Sequence, residues 1–146
     1  MLAIGFPLTT AGMTNRLMDI LLSNPSFLKW FVTEIKNAKK TIVIVNYMAA
    51  LQEDDKNGPV AKIVCALIEA VKRKIRVQIV LEGNKLQENY RFWRVLKDAG
   101  VDVWLDTSVT FIHAKAVLID DNKLCIGSHN ITNAAKLGSA SKASHI

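Results

Sequence analysis

The stretch from Asn57 to Leu81 constrains this chain most. Asn57, Gly58 and Pro59 read as a helix start, and Val60, Ile63, Val64, Leu67, Ile68 and Val71 then recur at the spacing of one buried helical stripe. Lys72, Arg73 and Lys74 close the helix, placing cations where its dipole is negative, and Arg76 to Leu81 (RVQIVL) follows as a strand. The same unit recurs on either side. Upstream, a helix is expected after Asn24 and Pro25, capped by Asn24 or Ser26, with Phe27, Trp30, Phe31, Glu34 and Ile35 on its repeat and its end near Asn37 to Lys40. Thr41 to Val45 (TIVIV) then reads as a strand covered on both faces. Downstream, a helix from about Glu88 to Asp98 stops at Gly100, and a strand runs from Val101 to Leu105. An α-β-α-β-α-β order of this kind predicts an α/β fold: a largely parallel mixed sheet with flanking helices.

A chain of 146 residues fits a single domain over 1–146, with 1–24 as a peripheral N-terminal segment. Half of the residues are hydrophobic and 22% are charged, which argues against disorder and coiled coil. The formal net charge of +6 points toward a polyanionic partner, either nucleic acid or an acidic lipid surface. Cys65 and Cys125 each sit inside an apolar run and read as small core residues of a reduced protein, so neither a disulfide framework nor a cysteine-based metal site is expected. The N-terminal MLAIGFPLTTAGM lacks the charged start of a secretory signal, and no apolar run reaches the roughly 18 residues that span a bilayer. The expectation is a cytoplasmic protein without stable membrane insertion.

After Asp106 the rhythm changes. Phe111 to Ile119 and Leu124 to Gly127 read as two strands joined by the short turn Asp120 to Lys123, a C-terminal β-hairpin. Side chains alternate along a strand, so His113 and Lys115 are expected on one face together with Val117. Asp120 ends the first strand, and the hairpin returns Gly127, Ser128 and Asn130 to the neighbouring one. A base or nucleophile, a fixed cation and amide and hydroxyl donors then share a small space. No reactive Ser or Cys with a dedicated base is evident, and donors converging where negative charge develops suit a phosphate better than a carbonyl.

The spacing His113-x-Lys115-x4-Asp120-x6-Gly127-Ser128-x-Asn130 resembles the HKD signature of the phospholipase D superfamily, with every named position filled. Six fixed positions would match by chance on the order of once in a million at average residue frequencies. The preceding α-β-α-β-α-β order also resembles a catalytic domain of that superfamily, so the resemblance spans Phe27 to about Ala135. It implies a metal-independent phosphodiesterase that needs no cofactor. His113 would attack phosphorus and form a phosphohistidine, while a second motif's histidine would protonate the leaving oxygen and later activate water. Lys115 and Asn130 would hold the non-bridging oxygens, and Ser128 would assist through its hydroxyl or backbone. Asp120 would hold its loop or balance positive charge, and Gly127 would allow close backbone approach.

That chemistry needs two histidines, and this chain carries one copy of the motif. Single-copy members of the family resemble small bacterial endonucleases and the mitochondrial cardiolipin hydrolase or piRNA-pathway nuclease, which place the site on a two-fold axis; a homodimer is therefore expected. Members of the family also carry an acid roughly ten positions after the asparagine, which fixes the tautomer of the catalytic imidazole. Here no acid follows Asp121, and KLGSASKASHI lacks an apolar run. Truncation or divergence of the C-terminus, with loss of the last strand, is the leading expectation; a short helix fits Thr132 to Leu137.

Outside the motif, His129 is expected to point away from its neighbours Ser128 and Asn130. Asn46 and Tyr47 lie where α/β sheets place their ligand crevice and are candidates for lining the site. The clusters Lys36 to Lys40 and Lys72 to Arg76 read as solvated helix ends, with a phosphate-tracking rim as the alternative. Trp30, Phe31, Phe92, Trp93 and Trp104 read mostly as core, with base stacking as the alternative. The functional expectation is an endonuclease acting on DNA or RNA as a homodimer. The alternatives are a lipid phosphodiesterase, which would show an anchor or an exposed apolar access surface, and a catalytically impaired nucleic-acid-binding module.

Overall fold

The computed structural model describes residues 20–22, 24–133 and 141–145. In chain order the elements are β1 (Ile20–Leu22), α1 (Asn24–Asn37), β2 (Thr41–Asn46), α2 (Pro59–Lys72), β3 (Arg76–Glu82), a 3-10 turn (Gly83–Lys85), α3 (Leu86–Asp98), β4 (Asp102–Asp106), β5 (Lys115–Ile119), β6 (Lys123–Gly127) and β7 (Ser141–His145). All seven strands join one mixed sheet in the order β1-β7-β6-β5-β2-β3-β4.

The repeating helix-strand units form the parallel part. β2 pairs with β3 from Thr41↔Arg76 to Asn46↔Leu81, and β3 pairs with β4, both parallel. Right-handed crossovers place α2 and α3 on the same face, where α1 packs against α2 and α2 against α3. The α2 stripe supplies the core: Val60, Ile63, Val64 and Leu67 are buried against a cluster that includes Phe31, Ile35, Ile42, Ile44, Ile79 and Phe92. Gly100, at φ 85°, takes the left-handed conformation that ends α3.

The other half of the sheet is antiparallel, through β2–β5, β5–β6, β6–β7 and β7–β1. The parallel character is thus confined to β2, β3 and β4. In β2 burial alternates, with Ile42, Ile44 and Asn46 buried and Thr41, Val43 and Val45 partly exposed, so the expected cover on both faces is complete on one. A last strand exists despite the polar sequence of β7. Its backbone pairs on both sides, to β6 and to β1, and ladder hydrogen bonds do not require an apolar pattern. β1 falls within the segment expected to be peripheral and occupies the sheet edge. The helix expected over Thr132 to Leu137 falls mostly outside the described residues.

Burial also sorts the sequence candidates. Cys125 is buried and its thiol is pushed up to about 11 by burial, but Cys65 is exposed, on the side of α2 opposite its apolar stripe. Phe31 and Phe92 are fully buried, whereas Trp104 on the outer strand β4 is 49% exposed.

The β5–β6 hairpin turns through Asp120 and Asp121, both left-handed at φ 51° and 58°, as a primed turn requires. The Asp120 carboxylate accepts backbone hydrogen bonds from Lys39, Lys40 and Thr41, at 2.7 Å for Lys40, and so fastens the hairpin to the α1–β2 connection. Burial pushes its pKa up, but these N–H groups and the Lys123 ammonium outweigh it and hold the carboxyl below its ordinary value. A lowered folded-state pKa stabilises the fold above the unfolded value of about 3.9, and that stability is lost as pH falls through the folded value. Asp120→Asn keeps tolerance of the left-handed turn but removes the charge. Urea denaturation should show a loss of about 1–2 kcal/mol at pH 7 that disappears once pH falls below the lowered folded-state pKa. Equal stability at pH 7 would contradict this role.

Candidate active site

Because β5 runs antiparallel to β2, with Asn46 opposite Lys115, the start of β5 meets the C-terminal ends of β2 and β3. β6 returns to the same end. Asn46 and Tyr47, the turn after β3, His113 and Lys115, and Gly127 to Asn130 therefore gather at one edge, where α/β sheets open a crevice beyond their strands.

His113 is exposed and lies just before β5 rather than within it. The register gives the reason. β2 ends at Asn46, paired with Lys115, so residues 111–114 have no strand to receive them. His113 and Lys115 are brought together by other means. The Lys115 ammonium donates a 2.8 Å hydrogen bond to the His113 carbonyl, and both groups approach the Tyr47 ring. The imidazole meets that ring edge-on at 4.8 Å and 62°, while Lys115 Nζ lies 5.2 Å from its centroid. Tyr47 is thus in ring contact with both members of the pair.

Lys115 shares the buried side of β5 with Val117 and Ile119, and burial pushes its pKa down. A small pocket beneath it is lined by Phe27, Phe31, Asn46, Lys115, Cys125 and His129, among others. His129 is buried and stacks on Phe27 at 5.3 Å and 13°, so it shares this pocket with Lys115; burial lowers its pKa. Asn46 Nδ2 donates to the His129 carbonyl, and its Oδ1 accepts from the Met48 amide. Exchanges between Met48, Ala50 and Ile131 add backbone bonds that hold the segment after β6 against the end of β2.

Of the motif residues on that segment, Ser128 is exposed and Asn130 is partly buried. The Asn130 Oδ1 is a buried oxygen without a hydrogen-bond partner in the structure. An orphaned buried acceptor is costly and marks a place where an arriving donor completes the bonding. Gly127 closes β6 opposite Ser141. Ser141 therefore begins β7 near the position where the family's acid was expected. Asp120 is not brought to this cluster; it lies at the opposite end of β5, against the start of β2.

Three residues of this edge escaped the sequence reading. Glu82 is fully buried at the end of β3. Its Oε1 accepts from the Asn84 backbone and side chain, and its Oε2 accepts a 2.6 Å bond from the Ile112 amide, next to His113. The Asn84 amide is the main cause holding this carboxyl below its ordinary value; burial opposes it, and the Ile112 amide adds to the lowering. One carboxylate therefore fixes both the turn after β3 and the loop carrying His113. Lys85, on that turn, places Nζ 5.7 Å from the Tyr47 centroid. Asn89, buried on α3, ties these parts together by accepting from the Ala49 amide and donating to the Glu82 and Tyr47 carbonyls. The only sequence signal was a lone acid closing an apolar strand. Among the described residues, no group of three or more His, Cys, Asp or Glu is placed to hold a metal ion, and no helix is long and apolar enough to cross a membrane.

Comparison with known proteins agrees with this arrangement. Residues 31–139 match the family model described as "Cardiolipin synthase, PLD-like domain". A curated protein of Rickettsia typhi named Phospholipase D is 33% identical over 107 residues, covering 73% of this chain and 48% of the relative; the chain spans about half the length of the curated relatives it matches. Among solved structures, the phospholipase D family member Nuc from Salmonella typhimurium superposes with a TM-score of 0.71 at 22% identity, covering 88% of this chain and 81% of that one. NucT from Helicobacter pylori gives a TM-score of 0.66 at 18% identity, covering 89% and 86%. These two likenesses speak to fold. With the HKD residues in place and the family model spanning most of the sequence, the chain belongs to the phospholipase D superfamily.

Proposed function

We propose that this chain is a metal-independent phosphodiesterase that hydrolyses nucleic-acid strands as a homodimer. The observation that carries the reading is the convergence of the His113 imidazole and the Lys115 ammonium on the Tyr47 ring. In the first step an imidazole nitrogen of His113 forms a bond to phosphorus as the phosphorus–oxygen bond of the leaving group breaks. The partner subunit's His113 protonates that oxygen. In the second step the same partner histidine takes a proton from water, whose oxygen displaces the His113 nitrogen and releases the phosphate product. Lys115 and the Asn130 amide face the non-bridging oxygens, where negative charge grows, with Ser128 beside them and Gly127 admitting close approach. Asp120 acts through the fold, not on substrate.

Polyanionic substrate fits the net charge of +6. A lipid phosphodiester is the second reading, and one observation favours it: Val109 and Phe111, on the loop that carries His113, are fully exposed and 66% exposed respectively, an apolar lip at the site. Purified protein incubated in EDTA with labelled oligonucleotide, and separately with cardiolipin vesicles, distinguishes them. The reading predicts oligonucleotide cleavage that persists in EDTA. Lipid hydrolysis without it would favour the second reading, and binding without cleavage would indicate an impaired nucleic-acid-binding module.

A further inference from the structure

We infer that Lys85 and Tyr47 form a second phosphate subsite, which takes the phosphate adjacent to the scissile one along a nucleic-acid strand; this rests on the reading above. Neither residue belongs to the HKD motif. The inference stands on three groups sharing one ring. His113 meets the Tyr47 ring at 4.8 Å, Lys115 Nζ reaches it at 5.2 Å and Lys85 Nζ at 5.7 Å, the last from a different element. Two ammonium groups set about one aromatic ring provide for two phosphates, one at the reacting centre and one beside it.

The surroundings fix Lys85 in that place. Its turn follows β3, is held by Glu82 through Asn84, and shares that carboxylate with Ile112 on the His113 loop. Tyr47 is held through its carbonyl by Asn89, which also binds the Glu82 carbonyl. The distance between the subsite and the reacting imidazole is therefore set by a shared buried scaffold. The current partner of Lys85 is Glu88, at 3.3 Å, with side chains 34% and 40% exposed. A half-exposed pair of this kind is weak, so an arriving phosphate can displace it; the hydrogen bond to Glu88 raises the Lys85 pKa while it lasts, and an ordinary lysine is cationic at neutral pH without it. A strand supplies neighbouring phosphates at fixed spacing. A simple diester with one phosphate engages only Lys115.

The test uses binding and turnover together. Anisotropy of a fluorescein-labelled single-stranded dodecamer is measured over a salt series for the parent protein, Lys85→Gln and Lys85→Arg, all carrying His113→Ala to prevent cleavage. Lys85→Gln should weaken binding about fivefold at low salt and reduce the slope of log K on log salt by about 0.7, the value for one phosphate contact on a single strand. Lys85→Arg should restore both. With His113 intact, the loss in kcat/KM that Lys85→Gln causes on the dodecamer should exceed its loss on bis(p-nitrophenyl) phosphate by the same factor. Equal losses on both substrates, or an unchanged salt slope, would overturn the subsite while leaving the phosphodiesterase reading intact. Wild-type protein inert toward both substrates would instead contradict that reading, and the salt slope would still decide the subsite.

Discussion

Replacement of His113 by alanine should reduce phosphodiester cleavage on the order of 10⁴-fold or more, because in the proposed mechanism one side chain supplies both the nucleophile and, from the partner subunit, the acid and base. The fold should survive, since His113 is exposed, precedes β5, and contributes only an edge contact to Tyr47 on the side-chain level. Circular dichroism and thermal melting of the variant should match the parent. The dual use of His113 gives a sharper result in mixtures. If wild-type and His113→Ala subunits are refolded together in equal amounts, random pairing leaves about one quarter of the dimers with two histidines. Activity per total protein should fall toward that fraction. A fall only to one half would mean that each subunit works alone.

Lys115→Gln is the second large effect. In the proposed mechanism the ammonium faces the phosphate oxygens as they gain charge, and removing one such donor costs about 10²–10³ in kcat. Lys115 also holds the His113 carbonyl at 2.8 Å, so part of the loss comes from the loop. The pH profile separates the two contributions. Burial lowers the Lys115 pKa, so the cation exists below that lowered value and is lost as pH rises through it, earlier than for an ordinary lysine at about 10.4. Wild-type kcat/KM should accordingly fall on the alkaline side before that value, and the residual activity of Lys115→Gln should lack this limb. An identical alkaline limb in the variant would assign it to another group.

The parts of this fold legible in the sequence are those whose patterns are local. The α2 stripe and the runs TIVIV and RVQIVL carry their period in adjacent residues, and they became α2, β2 and β3. β7 was not legible because SKASH becomes a strand through two neighbours rather than through its own hydrophobicity. The placement of His113 outside β5 depended on where β2 stops, a register that alternation cannot supply. His129 seemed set apart by the same alternation, but Phe27 on α1 covers it and completes the pocket beside Lys115. The motif residues themselves were readable because their spacing matches a family signature. Glu82 and Lys85 were not, since their partners Ile112 and Tyr47 are distant in sequence and meet only at the sheet edge.

The Asp120 position shows the converse. Its place in the motif puts it among the site residues by sequence, yet its expected role was to hold its loop, and three backbone N–H groups fix it at the far end of β5. A motif position can thus be fixed by the fold that carries the chemistry.

The most direct measurement is the covalent state of His113 during turnover. Wild-type protein mixed with a slight deficit of oligonucleotide, quenched in alkali to preserve the phosphorus–nitrogen bond and digested, should yield a His113 peptide carrying the nucleotide phosphoryl group. The adduct should rise and decay within one turnover and be absent from His113→Ala. Cleavage that proceeds with His113 unmodified, or an adduct on a different residue, would contradict the account.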